Sequence, residues 1–271
     1  MSFFNDLNAI RRTMGVGALR QDPTLDAAAE NHLGYMQANG IVAHTEVRGA
    51  KGYTHDDPYQ QVIAAGGSNK QWVGQMAYRG EMGACLRSLA NSIYHLQGIT
   101  GNQETVGIAM RDDYCVANFA VVTAITDGGY GLAQWGGQQL ATSASAYFPS
   151  DSAVVPGTFV PGNEIPNPAP DLETAGPPIM FRVNVETAAD VLTVETFELR
   201  DRRDEPVPAR ILVSSDSKPG SAVVATEDAR IFRGVAFLLP TKPVPAGTYT
   251  ASFIGARNGV PIAKSWSFSA Y

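Results

Sequence analysis

Apolar positions in the first hundred residues recur at helical spacing, and the period then changes. Leu25, Ala29, His32 and Met36 fall on one stripe between Asp22-Pro23, an N-cap with a first-turn proline, and Gly40, a stop. That punctuation predicts an amphipathic helix. Asp57-Pro58 and Gly66-Gly67 bracket a shorter one, and residues 4–14 read as helical too. Met82, Leu86, Leu89 and Ile93 step by four, three and four, which predicts a further helix over 81–96. Residues 106–111 and 114–123 are β-rich runs joined by Asp112-Asp113, a two-residue hairpin turn. The longest apolar stretch, 119–125 with Thr123 interrupting it, reads as a buried strand. Helices followed by antiparallel strands predict a mixed first domain.

Eight of the 17 prolines lie in residues 149–178. Proline fixes φ and donates no backbone hydrogen bond, so this stretch reads as an extended surface connector. Beyond it no helical stripe remains. Ile179-Phe181-Val183-Val185, 191–199, Ile211-Val213, 235–239, Tyr249-Ala251-Phe253 and Trp266-Phe268 alternate or run apolar between turns such as Lys218-Pro219-Gly220 and Pro245-Ala246-Gly247. Short strands at near-regular spacing predict an antiparallel sandwich. An immunoglobulin-like topology rests on strand count alone, because there is no Cys-Trp-Cys spacing. The expected organisation is a domain over 1–148, a connector over 149–178 and a β-sandwich over 179–271.

Composition narrows the function classes. With 271 residues and 44% apolar positions the chain can bury a full core. A net charge of −6 would repel a phosphate backbone, which argues against nucleic acid. No run approaches the roughly 18 apolar residues of a membrane span. Met1-Ser2-Phe3-Phe4 followed by Asn5-Asp6 has neither the basic start nor the apolar stretch of a secretory leader. Cys85 and Cys115 permit one disulfide and fit no zinc spacing.

Of the four histidines, His32 lies on a helical apolar stripe and reads equally as a core residue satisfied by one hydrogen bond or as a site residue. His44 and Glu46 would point to one side of an extended backbone, as an exposed loop pair or as part of a site. Ser88, Asn91, Ser92 and His95 form a polar stripe that could face a cleft, whereas His55 reads as solvated loop. No nucleophile elbow, His-Glu-x-x-His motif or phosphate-binding glycine loop occurs.

Taken in order, Asn8-Ala9-Ile10-Arg11, Gly15 and Leu19, then Leu25, Ala29, His32 and Tyr35-Met36, then His44-Thr45-Glu46, Gly74-Gln75-Met76, Ser92-Ile93-Tyr94-His95 and Val106-Gly107-Ile108-Ala109 resemble the bacterial CAP, or SCP-like, superfamily over about residues 3–125. The second domain is similar to the β-sandwich found after some members, through Trp266 and Phe268. The resemblance implies an α+β fold: an α-β-α sandwich with a central cleft, followed by an all-β immunoglobulin-like sandwich. In that cleft, family members often place two histidines and two acids that hold a divalent metal.

His44 and His95 match the histidines and are the implied ligands for zinc or calcium. The Gly-Glu-Asn of the family reads Gly74-Gln75-Met76, which puts a neutral amide where an acid stands. An amide takes no proton near neutral pH and ligates metals more weakly than a carboxylate. The second acid falls near Ser92, with Glu46 or Glu81 as substitutes. The family also implies a secreted, periplasmic or cell-surface location, which would need a leader outside this sequence. Cys85 and Cys115 then read either as a bridge from the third helix to the central sheet or as two buried thiols. Two functions compete. One is a non-enzymatic module whose cleft residues His32, His44, Glu46, Gln75, Ser92 and His95 bind a lipid, peptide or envelope component. The other is a metal-dependent hydrolase in which His44 and His95 hold the metal and Glu46 or Glu81 activates water.

Overall fold

A computed structural model describes residues 3–123, 140–222 and 224–271. Its contacts divide the chain into two compact units. The first comprises Met1–Arg12, Val16–Leu89 and Gly98–Gln139, and the second Thr13–Gly15, Ala90–Gln97 and Leu140–Tyr271.

The first unit opens with α1 (Phe3–Thr13), a two-residue strand β1 (Arg20–Gln21) and α2 (Pro23–Asn39). The Asp22 carboxylate accepts from the Thr24 and Leu25 amides, and Gly40 closes α2 at φ 68°, a left-handed position that glycine adopts without cost. The buried face is wider than one stripe, because Ala28, Leu33 and Tyr35 join Leu25, Ala29, His32 and Met36. A short α3 (Pro58–Ala64) follows, N-capped by Asp57. Then comes β2 (Gln71–Arg79), a strand the apolar pattern did not predict. It pairs antiparallel along its length with β4 (Tyr114–Val122), which also forms the expected hairpin with β3 (Thr105–Arg111). Asp112 sits at φ 54° in the turn. The sheet order is β1-β3-β4-β2, with β1 parallel to β3. Leu33 and Met36 of α2 pack on Ala109 and Val116 of this sheet, which makes the helix-on-sheet core. Residues 124–125 of the expected buried run lie outside the described residues.

The single helix expected over 81–96 is two. A 3-10 turn at Met82–Ala84 leads into α4 (Cys85–Ala90), the chain breaks at Asn91 to Ile93, and α5 (Tyr94–Ile99) starts anew. The break is held by a carboxylate distant in sequence, described below. Cys85 and Cys115 form a disulfide joining α4 to β4 with their Cα atoms 6.6 Å apart, so the bridge is the alternative realised.

In the second unit, β5 (Ser145–Phe148), β6 (Val154–Val155), β7 (Ile179–Val183), β8 (Leu192–Asp201), β9 (Pro206–Val207), β10 (Ala209–Val213), β11 (Thr226–Glu227), β12 (Val235–Pro240), β13 (Gly247–Arg257) and β14 (Val260–Ala270) build two five-stranded sheets. Their orders are β11-β10-β12-β7-β5 and β6-β14-β13-β8-β9. Pairing is mostly antiparallel, with β6 and β11 each added parallel at an edge. The inner faces meet in one apolar core, where the Phe181 and Phe253 rings stack at 3.7 Å between centroids and Phe197 packs edge-on to Phe253. Residues 149–178, expected as a connector, are instead taken into this unit. The prolines are interleaved with apolar side chains that the unit can bury: Val155, Phe159, Ala169 and Ala175 are all inside, and Phe159 bridges to Ala175.

Asp190 pins one end of this unit. Its carboxylate accepts from the Glu186 and Thr187 amides at 2.7 and 2.9 Å and from the Asn258 side chain at 2.7 Å, with Arg257 at 3.4 Å. These bonds, the one from Asn258 foremost, hold its pKa down at about 2. The folded carboxyl binds its proton less tightly than the unfolded one, so stability present above about pH 4 drains away as the pH falls towards 2. Asp190→Asn is expected to flatten that acid limb in a urea-midpoint titration. An unchanged acid limb would assign the loss to other carboxylates.

Candidate functional site

The expected site residues fall into two groups, one in each unit. In the first, His32 is fully buried on α2 and both ring nitrogens face oxygens: Nδ1 lies 2.9 Å from Glu46 Oε1, and Nε2 lies 2.7 Å from the Ala43 carbonyl. Ala43 can only accept, so Nε2 carries the hydrogen of that bond. Glu46 is itself saturated. It accepts from the Thr54 amide at 2.5 Å, the Thr54 hydroxyl at 3.0–3.1 Å and the His55 amide at 3.3 Å. His32 and Glu46 are thus a buried fastening between α2 and the loop after it, which removes Glu46 as an activator of water.

His44, on that loop, is exposed. Its Nδ1 lies 3.1 Å from Gln75 Oε1, and since an amide oxygen can only accept, that ring nitrogen carries the hydrogen of the bond. Gln75 on β2 donates in turn to Gln61 Oε1 at 3.0 Å. Gln61, buried on α3, donates to the carbonyls of His44 and His55 at 3.1 and 3.3 Å. The amide of Gln75 is therefore a working member of a network linking imidazole, β2 and α3. Gln61 was not among the expected residues, and its place in a short helix gave no sign of this role.

In the second unit, Ser92 Oγ and Glu164 Oε1 each lie 3.1 Å from His95 Nδ1. Both meet the same ring nitrogen, whereas a nucleophile–base–acid relay needs them on opposite nitrogens. Glu164 is buried and also accepts from the Ile93 and Tyr94 amides at 3.1 and 2.9 Å, which fixes the break between α4 and α5. Sequence reasoning missed it because it lies some seventy positions away, inside the proline-rich stretch. Tyr94 donates to Asp228 at 2.7 Å, and burial together with that carboxylate pushes its hydroxyl pKa up. Glu81 is exposed ahead of the 3-10 turn.

The donors do not fit a divalent cation. Gln75 replaces one acid and its amide is engaged at both ends, and Glu46 is spent on His32 and Thr54. Among the described residues no group of three or more His, Cys, Asp or Glu side chains could hold a metal ion. Nor, among them, is any helix long and apolar enough to cross a membrane.

A helix-covered sheet carrying the His44-Gln75 pair is followed along the chain by an all-β unit of two five-stranded sheets. Residues 4–123 match the model of CAP, the cysteine-rich secretory protein family, so the first part of the chain carries a CAP domain. No curated protein matches the chain. Among solved structures it is similar to an extracellular protein containing an SCP domain from Bacillus anthracis, at 19% identity and TM-score 0.39, covering 43% of this chain and 38% of that one. An outer surface protein from Borrelia burgdorferi shares 15% identity at TM-score 0.36, over 43% of this chain and 86% of that one. The methionine-rich copper resistance protein PcoC from Escherichia coli shares 14% at TM-score 0.28, over 46% and 93%. The chain thus spans well under half the length of the first of these.

Proposed function

We propose that this is an extracellular, non-enzymatic CAP-domain protein whose first unit binds a neutral, hydrogen-bonding ligand, a peptide or a lipid head group, around His44 and Gln75. The observation that carries this reading is the amide at position 75, bonded to His44 on one side and Gln61 on the other. An imidazole and a primary amide present hydrogen-bond donors and acceptors, which suits recognition of polar neutral groups, and the pair lacks the carboxylate that the metal-dependent hydrolase reading assigns to activating water. The saturated Glu46 supports the same conclusion.

The test is calorimetric titration of zinc and of calcium into metal-stripped protein, beside the His44→Ala, His95→Ala double variant. The expected result is no saturable binding in the micromolar range for either cation, in either protein. Micromolar binding that disappears in the double variant would overturn the proposal and point to the metal-dependent hydrolase. So would peptidase or esterase turnover abolished by His44→Ala alone.

A further inference from the structure

One end of the second unit holds a groove of about 500 Å³ that belongs to neither group of residues described above. That volume is within the range of small-molecule sites, roughly 300–1,000 Å³. It is formed by the end of β8 and the turn after it, by β9, and by the loop leading into β13. Val207, Val244 and Tyr249 give it an apolar wall.

The walls are set before any ligand arrives. Tyr249 Oη donates to the Pro245 carbonyl at 2.8 Å, the Val244 amide to Gly157 at 2.9 Å and the Thr241 amide to Pro208 at 3.0 Å. Pro208, Pro243 and Pro245 also line the groove, and their rings fix φ. A site that needs no ordering on binding keeps more of its contact energy as affinity.

Charge gives the ligand its sign. Arg202, Arg203 and Lys242 line the groove against one acid, Asp201. Asp201 is already occupied: it accepts from the Arg203 and Glu205 amides at 2.8 and 3.1 Å and from the Arg203 side chain at 3.4 Å. Among the described residues Arg202 and Lys242 form no ion pair, and both are exposed. Among the lining residues three cations thus stand against one acid, and the exposed Arg202 and Lys242 offer an anion charged donors beside the apolar wall.

We propose that this groove binds a small amphiphilic anion, an apolar chain ending in a carboxylate or phosphate. Arg202 and Lys242 take the head, and the Val207, Val244 and Tyr249 wall takes the chain. The site is independent of His44 and Gln75.

The experiment is calorimetric titration of the full chain with dodecanoate and with dodecyl phosphate, each below its micelle concentration. Octyl glucoside, acetate and inorganic phosphate are the comparisons. At least one dodecyl anion is expected to saturate one site, and the stronger of the two identifies the head group. The neutral amphiphile and the tail-less anions should bind at least about tenfold more weakly. The Arg202→Glu, Lys242→Glu double variant should lose about tenfold or more, since it replaces both attractive charges with repulsive ones. Ala246→Glu, which adds bulk and negative charge at an exposed lining position, should do the same. All three positions are on the surface, so a thermal melt matching the parent protein certifies folding. His44→Ala should leave this binding unchanged whatever becomes of the first unit's ligand. Undiminished affinity in the double variant would overturn the proposal, as would acetate or phosphate binding as tightly as the dodecyl anions, or no saturable binding by either dodecyl anion.

Discussion

Replacing Arg11 with methionine is expected to lower the stability of the first unit by about 3–5 kcal/mol, the usual cost of breaking a fully buried charged network. Arg11 has no exposed surface. Its Nε donates to the Gly17 carbonyl at 2.8 Å, Nη1 to Ile99 and Gly101 at 2.9 and 3.0 Å, and Nη2 to Gln103 at 3.4 Å. One guanidinium thus ties the end of α1 to the loop that follows it and to the segment entering β3. Methionine keeps much of the volume and leaves three buried carbonyls and the half-buried one of Gly17 to find other donors. Lysine should rescue little, because one ammonium cannot span acceptors on both sides as a planar fork does. Urea denaturation of the two variants checks this. A midpoint for Arg11→Met equal to that of the parent would mean that water replaces the guanidinium without cost.

The second large effect is expected at Gly107. A Cβ built there overlaps the Leu25 carbonyl carbon and the Asp26 nitrogen, which are backbone atoms of α2 and cannot rotate aside. The approach is fastened on both flanks, since Asp26 Oδ1 accepts from the Ile108 amide at 2.8 Å and Asn118 donates to the Leu25 carbonyl at 3.3 Å. Gly107→Ala should therefore cost about 3 kcal/mol or more, the upper range for overpacking, because helix and sheet must separate. Its readouts are the yield of folded protein and the denaturation midpoint. A cost below about 1 kcal/mol would show that α2 slides freely over β3.

These two positions illustrate what the sequence could and could not disclose. Both belong to the motifs that carry the family resemblance, yet neither was singled out there, because close backbone approach and a buried guanidinium leave no periodic trace. Helix α2 was legible because its stripe, Asp22 cap and Gly40 stop all agree. Strand β2 was not: Gly74 and Gln75 interrupt its alternation, and its conformation is set by pairing with β4, some forty residues later. The helix over 81–96 failed for the same kind of reason, since the residue that breaks it is Glu164. In the sandwich the strands were visible but their lengths were not. β13 and β14 run eleven residues each around Asn258-Gly259, both at positive φ, a hairpin signal present in the chain that strand counting passes over.

At the candidate site, spacing alone left His32 open between core and cleft, and the structure buries it against Glu46. The meeting of His44 with Gln75 was accessible only through the order of family motifs, because the two lie 31 residues apart on different elements. Gln61 and Glu164 could be found only in three dimensions. A buried amide on a short helix and a lone acid among prolines look like any others in a linear string.

The membership of Ala90–Gln97 in the second unit bears on how the protein is made. Tyr94 bonds Asp228, and Gln97 bonds both the Arg230 carbonyl and the Phe232 amide. A ribosome releases the chain from its N-terminus, so this segment emerges more than 130 residues ahead of those partners. The second unit therefore cannot be completed until those partners have emerged. A nascent chain halted before residue 228 would carry Ala90–Gln97 without these partners, and the final assembly of the second unit waits on the last quarter of translation.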